Sequence, residues 1–147
     1  MSIFDSFSIN ASGLTAERYR MDVISENIAN IDTTRTEDGT PYRRKLVTFE
    51  EKGKNGTFAS ALAKATGDYV GGGVRVGKTY EDTETEMKMV YDPSHPDADE
   101  NGYVTYPNVN VITEMTDLLD ASRSYEANAT AFSASKSMAV KGLEMAQ

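Results

Sequence analysis

The chain has no cysteine, no tryptophan, one histidine and four prolines in 147 residues. The lack of thiols excludes disulfides, thiolate metal sites and a cysteine nucleophile, and leaves the redox compartment open. With His95 the sole imidazole, any general base is His95 or a carboxylate. Flanked by Ser94 and Pro96, His95 reads as a loop residue. Its neighbour Ser94 makes no triad, because triad partners meet in space and not in sequence. No apolar run approaches the roughly 20 residues that span a bilayer. The opening MSIFDSFSIN lacks a basic region, an apolar block and a small-residue cleavage site, so the expectation is no cleaved secretory signal. Some export systems leave their substrates uncut. Positive charge is also scarce: 15 Lys and Arg against 23 Asp and Glu give a net charge of −8. That balance disfavours a nucleic-acid partner, and Arg43-Arg44-Lys45 is a short basic cluster in an acidic background. Hydrophobic residues make up 39%, enough for a modest core in one domain or a small domain with extensions.

What the chain does have is heptad periodicity at both ends. From Pro107 to Gln147 no further proline occurs, and Val111, Leu118, Tyr125, Phe132 and Ala139 recur every seven residues. A second series, Met115, Ser122, Ala129, Lys136 and Leu143, follows each by four. Spacings of three and four share one side of a helix, so the two series predict a narrow seam. Glu114, Asp117, Asp120, Arg123 and Glu126 are assigned to the solvated side. Asn110 reads as the N-cap, and Gly142 loosens the far end. At about 1.5 Å per residue such a helix is roughly 50 Å long. The seam is imperfect, with Ser122 and Lys136 on it and Ala121, Ala127, Ala131 and Ala134 beside it. It fits either a helix of an ordinary bundle or a long helix that packs against other chains, where small residues permit close approach.

Residues 3 to 31 repeat the design, with Phe7, Leu14, Met21 and Ile28 seven apart and Arg18 interrupting. Between the two ends lies a β-rich stretch. Tyr42 to Phe49 reads as a strand, as do Val74 to Lys78 and Met87 to Tyr91, and Tyr103 to Tyr106 gives a short last strand. Asn55-Gly56 signals a turn, residues 57 to 68 are ambiguous, and Gly71-Gly72-Gly73 reads as a flexible joint. That triple glycine has no Lys-Ser/Thr pair or following helix, so it is no phosphate loop. The expected fold is α+β: long N- and C-terminal helices pairing as a coiled-coil-like unit with a small β-rich module inserted between them. The expected divisions are 1–34, 35–106 and 107–147.

Chemistry is sparse. Asp97-x-Asp99-x-Asn101-Gly102 matches the opening of a calcium loop, but its twelfth position falls on Asn108 and no helix precedes it. The competing reading is a hairpin loop with a left-handed turn at Asn101-Gly102. Acidic pairs such as Asp117 with Asp120, or Glu84 with Glu86, read as solvated faces and not as a hydrolase pair. No catalytic residue, metal ligand or cofactor is expected.

The stretch from Ser25 to Thr34, SENIANIDTT, carries Asn27, Ala29, Asn30 and Thr33 in an Asn-x-Ala-Asn arrangement with a following Thr. This resembles the N-terminal signature of bacterial flagellar basal-body rod and hook proteins. Gly39 and Tyr42 arrive late, and that delayed GTPYRRK version is similar to the proximal rod proteins. HPDADENGYVTYPNVNVITEM and SRSYEANATAFSASKSMAVKGLEM resemble the C-terminal motif of the same family. Residues 51 to 73 match no part of it.

The resemblance implies a non-enzymatic structural subunit of the basal-body rod, exported by the flagellar type III apparatus without signal cleavage. Its terminal helices would form the inner tube and its β-rich middle would face outward. Implied partners are copies of itself, other rod proteins and the adaptor joining rod to MS ring, with no nucleic acid and no direct membrane insertion. The expected assembly and helix-packing residues are Phe7, Leu14, Met21, Asn27, Ile28, Asn30, Val111, Met115, Leu118, Tyr125, Asn128, Phe132 and Leu143. Asn27 and Asn30 could cap the helix end or bridge to a neighbouring subunit. Other readings of the residues are a free-standing secreted coiled-coil adaptor binding partner helices, or a calcium-binding or hydrolytic module acting through Asp97, Asp99 and Asn101.

Overall fold

The computed structural model describes residues 3–53, 58, 62, 65, 66 and 71–145. The turn expected at Asn55-Gly56 and most of the ambiguous stretch 57–68 lie outside the described residues. Among the described residues the elements with defined bounds are, in chain order, α1 (Ile3–Ala29), β1 (Lys45–Glu51), β2 (Val74–Glu81), β3 (Lys88–Tyr91), β4 (Tyr103–Tyr106) and α2 (Val111–Glu144). This is the α+β arrangement expected, with a helix at each end and two two-stranded sheets, β1-β2 and β3-β4, between them.

Each helix ends where its side chains compete for the backbone. The Asn30 amide donates to the Glu26 carbonyl at 2.9 Å and its oxygen accepts from the Thr33 hydroxyl at 3.1 Å, closing α1. Asn110 caps α2: its side-chain oxygen accepts from the Ile112 N–H at 3.0 Å, and its carbonyl takes the Glu114 N–H at 2.9 Å. β1 begins at Lys45 and not at Tyr42, because the groups just before it bond elsewhere: Tyr42 N–H to Thr33 and Arg44 N–H to Asn108.

The chain divides into two compact units: residues 1–19, 48–77 and 121–147, and residues 20–47 and 78–120. In the first, Phe7 meets Phe132 edge to face with ring centroids 5.1 Å apart. Ala16 and Ala121 are buried. Gly13 stands so close to Asn128 that a Cβ there would sit 2.9 Å from its oxygen. The glycine run is a packed crossing and not a joint. A Cβ on Gly72 would collide with the Lys52 carbonyl, and one on Gly73, at φ 96°, with the Ser12 hydroxyl. That hydroxyl accepts the Val74 N–H at 3.0 Å. Bare backbone is therefore required for β2 to start beside α1 in this unit.

In the second unit, β3 pairs antiparallel with β4, Tyr91 opposite Tyr103 and Val90 opposite Val104. Alternation puts Val104 on the inner face, fully buried, while Met89, Tyr91 and Tyr103 are exposed. The loop joining β3 to β4 closes through Asp92 N–H to the Gly102 carbonyl, with Gly102 at φ 80°. Its carboxylates are engaged within the fold. Asp99 accepts from the Asn101 and Tyr103 N–H groups, and Asp97 accepts from the Thr34 hydroxyl and pairs with Arg35. Hairpin closure is what this geometry performs. Among the described residues no three His, Cys, Asp or Glu side chains cluster as metal ligands. No described helix is long and apolar enough to cross a membrane.

Candidate assembly site

Asn27 makes four side-chain hydrogen bonds within the second unit. It lies on α1 two residues before the helix ends and is 1% exposed. Its amide donates to the Lys45 carbonyl at 2.9 Å and to the Glu114 carboxylate at 3.0 Å. Its oxygen accepts from the Lys45 N–H at 2.8 Å and from the Tyr42 hydroxyl at 2.9 Å. All four hydrogen-bonding positions of the amide are used. Toward Lys45 it imitates a neighbouring strand, giving and taking one bond on the same peptide edge.

Glu114 completes the junction from α2. It is 1% exposed, and its second oxygen takes the Arg44 Nε at 2.5 Å, while Arg44 also reaches Asp117 at 3.1 Å. The assignment of Glu114 to the solvated side of the helix is thus corrected. Position 114 belongs to a heptad series with 121, 128 and 135 that contains Glu114, Ala121, Asn128 and Ser135, buried or half-buried. Of the two series expected to form the seam, Val111, Leu118, Tyr125, Phe132 and Ala139 is half-buried from Leu118 onward, whereas Met115, Ser122, Ala129, Lys136 and Leu143 is exposed at Met115, Lys136 and Leu143. On α2 the chain buries Glu114 and Ala121 where the backbones approach closely, half-buries Leu118, Tyr125 and Phe132, and leaves Met115 and Leu143 outside.

Arg44 likewise is no part of a solvated basic patch. Beside it, Asn108 accepts the Arg44 N–H at 2.8 Å and donates to the carbonyls of Asp82 and Thr85. Asp82 accepts the N–H groups of Glu84 and Thr85 and the Thr85 hydroxyl, and those Thr85 bonds hold its carboxyl below the ordinary carboxylate range. Burial pushes the Tyr42 phenol up to about 12, with the negative charges of Glu26, Glu114 and Glu81 adding to the effect. Tyr42 therefore stays a neutral donor to Asn27. The junction contains no nucleophile paired with a base. Its chemistry is mutual neutralisation, which holds the end of α1, the start of β1 and the start of α2 together.

The remaining residues singled out in the sequence fall into two groups. Leu14, Met21, Ile28, Leu118, Tyr125, Asn128 and Asn30 are half-buried, as are the stacked Phe7 and Phe132. Val111, Met115 and Leu143 are exposed, at 38%, 55% and 72%. The exposed group has company on α2: Ile112 at 78%, Leu119 at 60%, Met138 at 64% and Val140 at 46%. Ile112, Met115 and Leu119 lie at i, i+3 and i+7, and Val140 and Leu143 at i and i+3, which makes each set an apolar stripe on the outside of the helix. Tyr42, Arg44, Lys45, Asp82, Asn108 and Glu114 were not foreseen as functional. The one advance signal was the heptad of 114, 121, 128 and 135, whose residues are small or polar and so look like a surface.

Two family models match. Residues 7–35 match "Flagella basal body rod protein", and residues 100–145 match "Flagellar basal body rod FlgEFG protein C-terminal". The first spans the end of α1 with Asn27 and Asn30, and the second spans β4 and α2 with Glu114. Curated relatives align along essentially the whole chain. The flagellar basal-body rod protein FlgC of Bacillus subtilis is 47% identical, covering 99% of both chains. That of Borreliella burgdorferi is 44% identical over 100% of this chain and 99% of its own. The Salmonella typhimurium protein is 40% identical over the full length of both. A polar junction in place of a catalytic centre, apolar stripes left open on the terminal helix, and this full-length likeness agree: the chain belongs to the FlgC family of flagellar basal-body rod proteins, structural subunits that assemble with other rod components in the basal body.

Proposed function

We propose that the chain is built into the proximal rod through its terminal segments, 1–34 and 107–147, which form an inner helical layer while residues 35–106 face outward. Neighbouring copies, other rod proteins and the adaptor joining rod to MS ring are the proposed partners. Delivery is by the flagellar type III export apparatus without signal cleavage, and the finished tube transmits torque. The observation that carries this reading is the pair of open stripes on α2. Full burial of a Leu, Ile or Met side chain is worth about 1.5–3 kcal/mol, so Ile112, Met115, Leu119, Val140 and Leu143 together represent a substantial driving force that the chain leaves unused. Helices with so little internal apolar contact are marginal alone and gain order from neighbours.

The test is deletion of residues 132–147, which removes Val140, Leu143 and the Phe132 half of the aromatic pair. The expected result is loss of the protein from detergent-purified basal bodies, with the residue 35–106 region still folded by circular dichroism and tyrosine fluorescence. Normal rods from the truncated chain would contradict the proposal. A stable small oligomer of the intact chain that never co-purifies with basal bodies would favour a free-standing adaptor.

A further inference from the structure

Taken alone, the heptad repeat of large residues leaves the alignment of the helices ambiguous. On α1 the large seam residues Phe7, Leu14, Met21 and Ile28 recur every seven positions, as do Leu118, Tyr125 and Phe132 on α2. Sliding one helix by seven residues, about 10.5 Å at 1.5 Å per residue, returns large residues to large residues. Between them the seam packs Ala16, Val23, Ile24 and Ala121, with Gly13 against Asn128, so shape favours the aligned pairing in part. In such pairings a single buried polar group is the best-attested device for fixing register.

We propose that Asn27, with Glu114 and Arg44, is the register key of the α1–α2 pair. Asn27 occupies the end of α1, Glu114 the first turn of α2, and both are 1% exposed. A seven-residue slip strips Asn27 of its bonds to Lys45, Tyr42 and Glu114 at one stroke, and leaves Glu114 and the Lys45 peptide group without those partners. Other parts of the unit do not slide with α1. The start of β1 is fastened to the segment before α2 through Asn108, which takes the Arg44 N–H and donates to Asp82 and Thr85, and the Asp82 N–H returns to the Arg44 carbonyl. Asn27 keys α1 into that fixed frame from the buried side, with the more exposed Glu26–Lys45 ion pair beside it. It acts as a positioning residue: its contribution lies in the gap between aligned and slipped pairings more than in total stability. The inference concerns alignment within one chain and stands apart from any reading of how subunits assemble.

The absence of native cysteine makes the test direct. With Asn27 opposite Glu114 in an antiparallel pair, Val23 on α1 aligns with Leu118 on α2, and a seven-residue slip aligns it with Val111 or Tyr125 instead. Disulfides form only when Cα atoms lie about 4.4–6.8 Å apart, so the aligned and slipped pairs exclude one another. Val23→Cys is combined in turn with Leu118→Cys, Val111→Cys and Tyr125→Cys, in two backgrounds of the full-length protein. One keeps the junction, and the other carries Asn27→Leu, Arg44→Met and Glu114→Leu.

With the junction intact, only the Val23–Leu118 disulfide forms appreciably. In the apolar background the ion pair is replaced at little or no loss of stability, while the Lys45 peptide group and the Tyr42 hydroxyl lose their Asn27 partner, and the helical signal reads whether the fold persists. The ratio of aligned to slipped disulfide then falls by at least about tenfold, equivalent to about 1.4 kcal/mol. An apolar variant that forms only the aligned disulfide overturns the proposal, as does a failure of Val23–Leu118 to form when the junction is intact. Should the triple variant lose its helical signal, Asn27→Leu with Glu114→Leu, which leaves Arg44 its second carboxylate on Asp117, is read by the same ratio and the same criteria.

Discussion

Replacement of Glu114 by alanine is the sharpest single perturbation of the junction. Glu114 is 1% exposed and holds two partners, the Arg44 guanidinium at 2.5 Å and the Asn27 amide at 3.0 Å. Breaking a buried pair from one side costs about 3–5 kcal/mol, because the surviving group is left charged and unpaired. Arg44 retains Asp117 at 3.1 Å and its side chain is 20% exposed, which lowers the expected loss to about 2–4 kcal/mol. Glu114→Gln keeps an acceptor for Asn27 and forfeits the charge, so about 1–2 kcal/mol is expected. Asp117→Ala removes a carboxylate whose side chain is 34% exposed, and should cost under about 1 kcal/mol. Urea denaturation of the purified full-length chain, followed by circular dichroism, gives all three values. Typical domains have only about 5–15 kcal/mol in total, so the Glu114→Ala midpoint shift is large if the reasoning holds. A loss under about 0.5 kcal/mol for Glu114→Ala, or an Asp117→Ala effect that equals it, would refute the account of a buried carboxylate holding α2 to β1.

Tyr42 supplies a test with a definite sign. Its phenol is raised from 10.0 to about 12 in the folded chain, so the native state holds the proton more tightly and stability falls as pH rises from about 10 to about 12. Two units correspond at most to about 3 kcal/mol, and solvent screening of the phenol lowers the expected loss to about 1–2 kcal/mol. Tyr42→Phe removes this part of the decline in alkaline denaturation, and an unchanged alkaline slope in the variant rejects the assignment. Among the glycines, Gly73→Ala meets both a φ of 96° and the Ser12 hydroxyl, whereas Gly39→Ala, at φ 76°, meets open space. Thermal unfolding should show a loss of about 1–2 kcal/mol for Gly39→Ala and a clearly larger one for Gly73→Ala. Equal losses would mean that the close approach to α1 carries no weight.

The helices and most strands were legible because their signals are local. Sevenfold recurrence marked both helices, Asn110 marked the start of α2, and alternation marked Val74–Lys78 and Met87–Tyr91. The junction was not legible because its partners meet only after folding. Asn27 looks like an ordinary helix-end residue until the Lys45 peptide lies alongside it, and Arg44 looks like one of three surface basics until Glu114 turns inward. The inner seam of α2 was misjudged for a physical reason. Heptad spacing suggested the series through Met115 and Leu143 alongside that of Leu118, Tyr125 and Phe132, yet the helix buries Glu114 and Ala121 and leaves Met115 and Leu143 exposed. That exposure is informative, because apolar bulk set outside a finished internal contact marks where the chain is still to be covered.

The central claim, that the outer stripe of α2 exists for contact with neighbouring subunits, is tested most directly by placing charge on it. Leu119→Asp and Leu143→Asp alter side chains that are 60% and 72% exposed, so the purified variants should unfold within about 0.5 kcal/mol of the parent. Ser137→Asp, at another exposed position of the same helix, serves as the control. The measurement is the amount of each variant recovered in detergent-purified basal bodies. The account predicts that the two leucine variants are missing while the Ser137 variant is present at parental level. Leucine variants incorporated as well as the parent would contradict it.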